Sequence, residues 1–244
     1  LNCCKKMAKN VDLLEQSLLA LKDDNKAKQL QRFFKTGKGD YGEGDKFLGI
    51  TMPQIRLIVN KYYKDISIND LIKLLGSKWH EIRMASLLVM VKQYNKADDF
   101  NQKELYKLYV NQIGKAINNW DLIDVTCPHI IGAHEYKYKT NLYDKLLKGG
   151  LWHKRVAIIS TFYMLKRGQT KPTYDLACKL VYQEHDLLHK AVGWSMRELG
   201  KVDLALLLKL LDKYAATMPR TALRYAIEKL PNDQKHYYMN LKNI

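Results

Sequence analysis

Trp79-His80-Glu81-Ile82-Arg83-Met84-Ala85, Trp152-His153-Lys154-Arg155-Val156-Ala157 and His189-Lys190-Ala191-Val192-Gly193-Trp194 are three renderings of one pattern. Each opens a run whose apolar residues recur at helical spacing, and Pro219-Arg220-Thr221-Ala222-Leu223-Arg224 is a later echo. Met84, Val156 and Val192 lie 72 and then 36 residues apart. A period near 36 residues with two helices per unit is the signature of stacked helix pairs. The small Ala85, Ala157 and Ala191 let neighbouring helices approach closely.

Outward from these windows the same spacing continues. It predicts helices over 11–19, 27–34, 53–63, 70–75, 81–94, 103–117, 122–132, 138–147, 154–166, 173–181, 187–199, 202–214 and 219–229. Pro53 suits a first helical turn, and Asn69 is the expected cap of the helix beginning at Asp70. No convincing period-2 run points to sheet. Thr36 to Asp45 holds four glycines in ten residues and reads as the one long flexible loop. The expectation is all-α: a curved superhelix (an α-solenoid) of HEAT-like helix pairs forming a single domain over 1–244, with the repeats clearest over 53–230. In such arrays the second helix of each pair lines a concave face.

The chain has 244 residues, enough for one sizeable core or one stacked array. Forty-one Lys and Arg against 25 Asp and Glu leave a formal charge of +16. A compact basic body attracts polyanions, nucleic acid above all. Anionic membranes, acidic proteins and a merely solubilising surface are the competing readings. Arg83, Arg155, Lys190 and Arg220 recur near the starts of the echoes, where backbone N–H groups also favour phosphate. A regular array would set them in one stripe, which suits duplex DNA better than a small metabolite.

Cys3 and Cys4 lie in a basic start, while Cys127 and Cys178 fall in apolar helical patterns. Without paired C-x-x-C spacing they suggest neither a zinc site nor a disulfide framework. The opening LNCCKKMAKN lacks a secretory apolar run, and no stretch of 18 apolar residues occurs. A cytoplasmic protein without a membrane partner is expected.

Two windows carry candidate chemistry. In Asn118-Asn119-Trp120-Asp121-Leu122-Ile123-Asp124, Trp120 and Asp124 are four apart and share a helix face. Asp121 is placed to cap. An indole beside a carboxylate suits a flat cation. Equally, Trp120 suits ordinary core, and Asp124 suits an ion pair with Arg155 or Lys154. In Lys190-Ala191-Val192-Gly193-Trp194-Ser195-Met196-Arg197, Gly193 inside a helix implies close approach by a neighbouring helix or a ligand. Trp194 is then core or a second aromatic wall. Arg155 and Arg197 suit phosphates or acids such as Asp124 and Glu198. His80, His153 and His189 sit at equivalent echo positions, not in a metal cluster, and His129 and His134 lack H-E-x-x-H spacing. No Ser–His–Asp arrangement, Walker motif or dinucleotide fingerprint is found, and the glycines at 37–44 follow no strand.

Four windows together, QRFFKTGKGDYGEGDKFLGI with the following TMPQIR, INNWDLIDVTCPHIIG, LWHKRVAIISTFYML and HKAVGWSMRELGK, resemble the AlkD-like family of DNA alkylation repair proteins. They run in the family's order over about residues 30 to 230. The resemblance implies curved stacks of HEAT-like pairs. It implies a glycosylase for cationic N3- and N7-alkylated purines in duplex DNA, acting without extruding the base, in contrast to the usual strategy. By the family's W-D-x-x-D window Asp124 is the catalytic aspartate and Trp120 its tryptophan, while the G-W-x-x-R-E window gives Trp194. The resemblance assigns Arg155 to a phosphate, and Arg83, Lys190, Arg197 and Lys35 are the further candidates for DNA phosphates. Phe33 stands where the family's enzyme has a tyrosine, keeping the ring without the hydroxyl. Neither metal nor organic cofactor is expected, nor an obligate protein partner, and the chain is expected to be a monomer. A non-catalytic HEAT-like DNA-structure-binding protein is the alternative, and a protein-binding scaffold a third reading.

Overall fold

The computed structural model of the chain describes residues 9–241, so Cys3 and Cys4 lie outside the described residues. It is all-α: helix packs on helix throughout. Among the described residues the only pairings of strand type are two isolated bridges, Lys46 with Trp79 and Ile113 with Ile117. The contacts fall into two units, Leu1–Leu122 and Ile123–Ile244, and the division lies inside one helix.

The first unit holds α1 (Asn10–Leu19), α2 (Asp24–Phe33), α3 (Met52–Tyr62), α4 (Ile68–Leu75), α5 (His80–Tyr94), α6 (Asp99–Gln112) and the start of α7 (Trp120–Cys127). Helix α5 packs against α3 and α4, and α1 against α3. All residues from His80 to Met90 are buried, on every side of α5. Seven of those eleven residues are apolar, but His80, Glu81 and Arg83 bring three ionisable groups into the core at its start. The cap of α4 is Ser67, not Asn69: the Ser67 hydroxyl accepts from Asp70 N–H, and Asp70 returns the contact to Ser67 N–H. That reciprocal pair satisfies two end donors at once, which Asn69 cannot do from inside the helix. Asp98 likewise starts α6 four residues before the expected Lys103, by accepting from Asn101 N–H.

The second unit continues α7 through a wider π turn, Pro128–Gly132, and then holds α8 (Ala133–Tyr138), α9 (Leu142–Leu147), α10 (Leu151–Ser160), α11 (Phe162–Leu165), α12 (Lys171–Leu180), α13 (Asp186–Val202), α14 (Leu204–Tyr214), α15 (Arg220–Ile227) and α16 (Asn232–Asn240). The expected helix over 138–147 is divided instead. Lys139 and Asn141 adopt positive φ, which ends α8 and delays α9. Helix α16 was not foreseen; its sequence buries only Tyr238 and has little apolar periodicity. Helix α13 packs on α10, α12, α14 and α15. Gly193 explains the tightest of these contacts: a Cβ there would run into the Ala222 carbonyl and meet Tyr225 Cβ at 2.6 Å. The close approach is by a helix.

Candidate functional site

In the first unit the ionisable residues at the head of α5 meet groups from two distant segments. His80 donates from Nδ1 to Asp45 Oδ2 (2.9 Å) and from Nε2 to Asp121 Oδ2 (2.8 Å). Burial alone would strip the ring of its proton; the carboxylates, Asp121 foremost, outweigh it and raise the pKa to about 9. Asp45 shows the mirror image. Its burial would raise its pKa, but His80 and Arg83 bring it down to about 2. Arg83 completes the cluster by donating from Nη2 to Asp45 Oδ1 (2.5 Å) and from Nε to Ala116 O (3.1 Å). Next along α5, the Glu81 carboxylate accepts the N–H groups of Leu48, Gly49 and Ile50, at 2.8–3.2 Å.

Beside this cluster stands a column of rings. Trp120 stacks on Phe34 (5.2 Å between centroids), Phe34 on Phe47 (4.9 Å), and Phe47 on His80 (4.5 Å). Phe33 meets Trp120 edge to face at 5.9 Å and is itself 63 % exposed. Trp120 is half-buried, and a cleft of about 360 Å³ lies along Phe33, Phe34, Phe47 and Asp121. Lys35, just beyond α2, is exposed. With Lys28 and Arg32, at helical spacing before it, it lines a second open cleft of about 450 Å³.

In the second unit Asp124 and Arg155 form a two-pronged pair: Nε donates to Oδ1 (2.9 Å) and Nη2 to Oδ2 (2.7 Å). Arg155 Nη1 donates to Leu187 O (2.5 Å). The arginine side chain is 5 % exposed and the aspartate 12 %. Trp194 is half-buried on α13, donates from Nε1 to Glu198 Oε1 (3.1 Å) and meets Phe162 edge to face at 4.7 Å. Arg197 pairs with Glu228 and Glu198, and Lys190 bridges to Asp186 (2.7 Å).

The side chains expected to carry DNA phosphates therefore stand in two different settings. Arg83 and Arg155 are buried and their guanidinium groups are committed to protein acceptors, Arg155 in the ion pair that was one of its two readings. Lys35 is exposed, and Lys190 and Arg197 are partly so. By sequence His80 is no more than an echo position, and nothing singles out Asp45 or Glu81. Their partners lie 31 to 74 residues away along the chain, so no local spacing marks them. Lys28 and Arg32 were legible as an i, i+4 pair on α2 leading to Lys35. Among the described residues no group of three or more His, Cys, Asp and Glu side chains gathers as metal ligands. No helix there is long and apolar enough to cross a membrane.

Arranged in this way, the chain offers two carboxylates held by arginines, Asp45 by Arg83 and Asp124 by Arg155, half-buried indoles in each unit, and exposed cations on α2. No curated protein sequence matches it. Among solved structures it is similar to a predicted DNA alkylation repair enzyme from Enterococcus faecalis, at 14 % identity and a TM-score of 0.70, over 86 % of this chain and 97 % of the other. That likeness is one of fold. The family model described as DNA alkylation repair enzyme matches residues 14–230, nearly the whole described chain, and the chain accordingly belongs to the AlkD-like DNA alkylation repair enzyme family.

Proposed function

We propose that the chain is a DNA glycosylase that hydrolyses the N-glycosidic bond of cationic N3- or N7-alkylated purines in duplex DNA, with the base left unextruded. The observation that carries the reading is the Asp124–Arg155 pair. A carboxylate gripped through both oxygens by a buried guanidinium is fixed in orientation before substrate arrives. An alkylated purine is already cationic and leaves as a neutral base, taking the bond's electron pair. Positive charge then develops on the sugar. Asp124 stabilises that charge and orients a water, whose oxygen bonds to the anomeric carbon while its proton passes to solvent. By the family resemblance Trp120 and Trp194 are each assigned an aromatic contact with the sugar. Here Arg155 orients Asp124, and the phosphate contacts belong to exposed cations such as Lys35.

The test is release of 3-methyladenine or 7-methylguanine from methylated duplex by the chain and by Asp124→Asn. The expected result is loss of at least about a hundredfold in the variant, in line with removal of one preorganised charge-stabilising group. Arg155→Lys, which keeps the charge but loses the fork, is expected to retain partial activity. Background release by the folded wild type would replace this reading with that of a DNA-binding protein without catalysis.

A further inference from the structure

We propose that His80 is a positioning residue for Trp120, and that the cluster of His80, Asp45, Asp121 and Arg83 sets the place of that indole. The inference deepens the glycosylase reading and rests on it for the consequence in activity, though not for the geometry.

A cation at the first residue of α5 opposes both burial and the helix dipole. It is held there because its two N–H groups reach carboxylates from different segments: Asp45 at the end of the Gly-rich loop and Asp121 in the first turn of α7. Only the imidazolium can donate to both; a neutral ring would turn a lone pair toward one of them. Two lines then run from the cluster to Trp120. Asp45 accepts from Asn119 Nδ2 (3.2 Å), and Asn119 Oδ1 accepts the backbone N–H of Trp120 (2.9 Å). On the other side the ring of His80 supports Phe47, Phe47 supports Phe34, and Phe34 supports the indole. The circuit closes on itself, since Asp121 is the residue after Trp120. Glu81 pins Leu48 to Ile50, just after Phe47, and so fixes that end of the column. The charged groups facing His80 and its partners are thus Asp45 from the loop, Asp121 from α7, and Arg83 and Glu81 from α5. Buried ion clusters seldom stabilise more than an apolar core of equal volume would; what they supply is a specified geometry.

Two measurements test this. The first is the indole Nε1–H resonance of Trp120, assigned by its loss in Trp120→Phe. In the wild type it is expected to move as the pH is raised from 7 to 10, with a midpoint at about 9. In His80→Gln it is expected to lie at a displaced position and to show no such titration. The second is single-turnover and steady-state release of 3-methyladenine. His80→Gln is expected to lower kcat at saturating DNA by about tenfold or more, with KM changed by less than about threefold, as misplacement of a contacting group does. Asp121→Asn, which removes one of the two carboxylates, is expected to shift both the resonance midpoint and the alkaline limb of kcat to lower pH. A wild-type resonance that stays flat to pH 10 overturns the proposal even if His80→Gln does not fold. So does a displaced resonance accompanied by unchanged kcat. If the wild type releases no base, the glycosylase reading fails, while the resonance still decides whether His80 places the indole.

Discussion

A single charged side chain has opposite consequences according to what faces it. Arg83 and Arg155 look alike in the sequence, each an arginine near the start of an echo, and both suggest a cation offered to phosphate. Folding spends both on carboxylates, Asp45 and Asp124, which lie 38 and 31 residues away and leave no local mark. Trp120, Asp124 and Trp194 can be put forward from the sequence because the W-D-x-x-D and G-W-x-x-R-E windows are contiguous; His80 cannot, because its partners are two remote acids. The His80 pairing also has a thermodynamic signature. Its folded pKa, about 9, exceeds its unfolded value, so its stabilisation is full below about pH 6.5 and is lost as the pH rises through 9. Asp45, lowered to about 2, contributes above about pH 3.8 and loses that contribution as the pH falls through 2. The two describe one ion pair and do not add. Urea unfolding is expected to give a stability lower by on the order of 3 kcal/mol at pH 10 than at pH 6. His80→Gln, flat across that range once the lysines common to both proteins are subtracted, is the comparison that isolates it.

At the scale of elements, periodicity located most helices but misjudged their ends. Ends are decided by caps such as Ser67 and Asp98 and by backbone turns such as Lys139 and Asn141, where the chemistry is one residue wide. Periodicity also missed α16, which lacks an apolar stripe. The packing of α13 on α15 was half legible: a glycine inside a helix announced a close neighbour without saying which. Gly193→Ala tests the contact. Helix propensity would favour alanine by about 1 kcal/mol. Here the added methyl meets the backbone of Ala222 and Tyr225 Cβ, neither of which can swing aside. A net loss of about 1–3 kcal/mol in chemical denaturation is expected. A neutral or stabilising change would mean that α15 yields easily.

Taken whole, the chain is a basic body of +16 whose family acts in DNA alkylation repair. The charge was legible from composition alone; which cations stay on the surface was not. Lys28, Arg32 and Lys35 are exposed and line one cleft. Binding to undamaged duplex is expected to weaken by at least about tenfold between ~50 and ~200 mM salt, as counterions compete for the phosphates. Lys28→Ala with Arg32→Ala and Lys35→Ala should flatten that dependence by fluorescence anisotropy, and an unaltered slope would remove α2 from the interface. A last consequence belongs to α5, hidden from water on all sides over His80 to Met90. No partial fraying can bare its middle: solvent reaches those amides only when the surrounding helices come apart together. Their exchange with deuterium should therefore be the slowest in residues 9–122, and should report the cooperative opening of that half of the protein rather than a local breath.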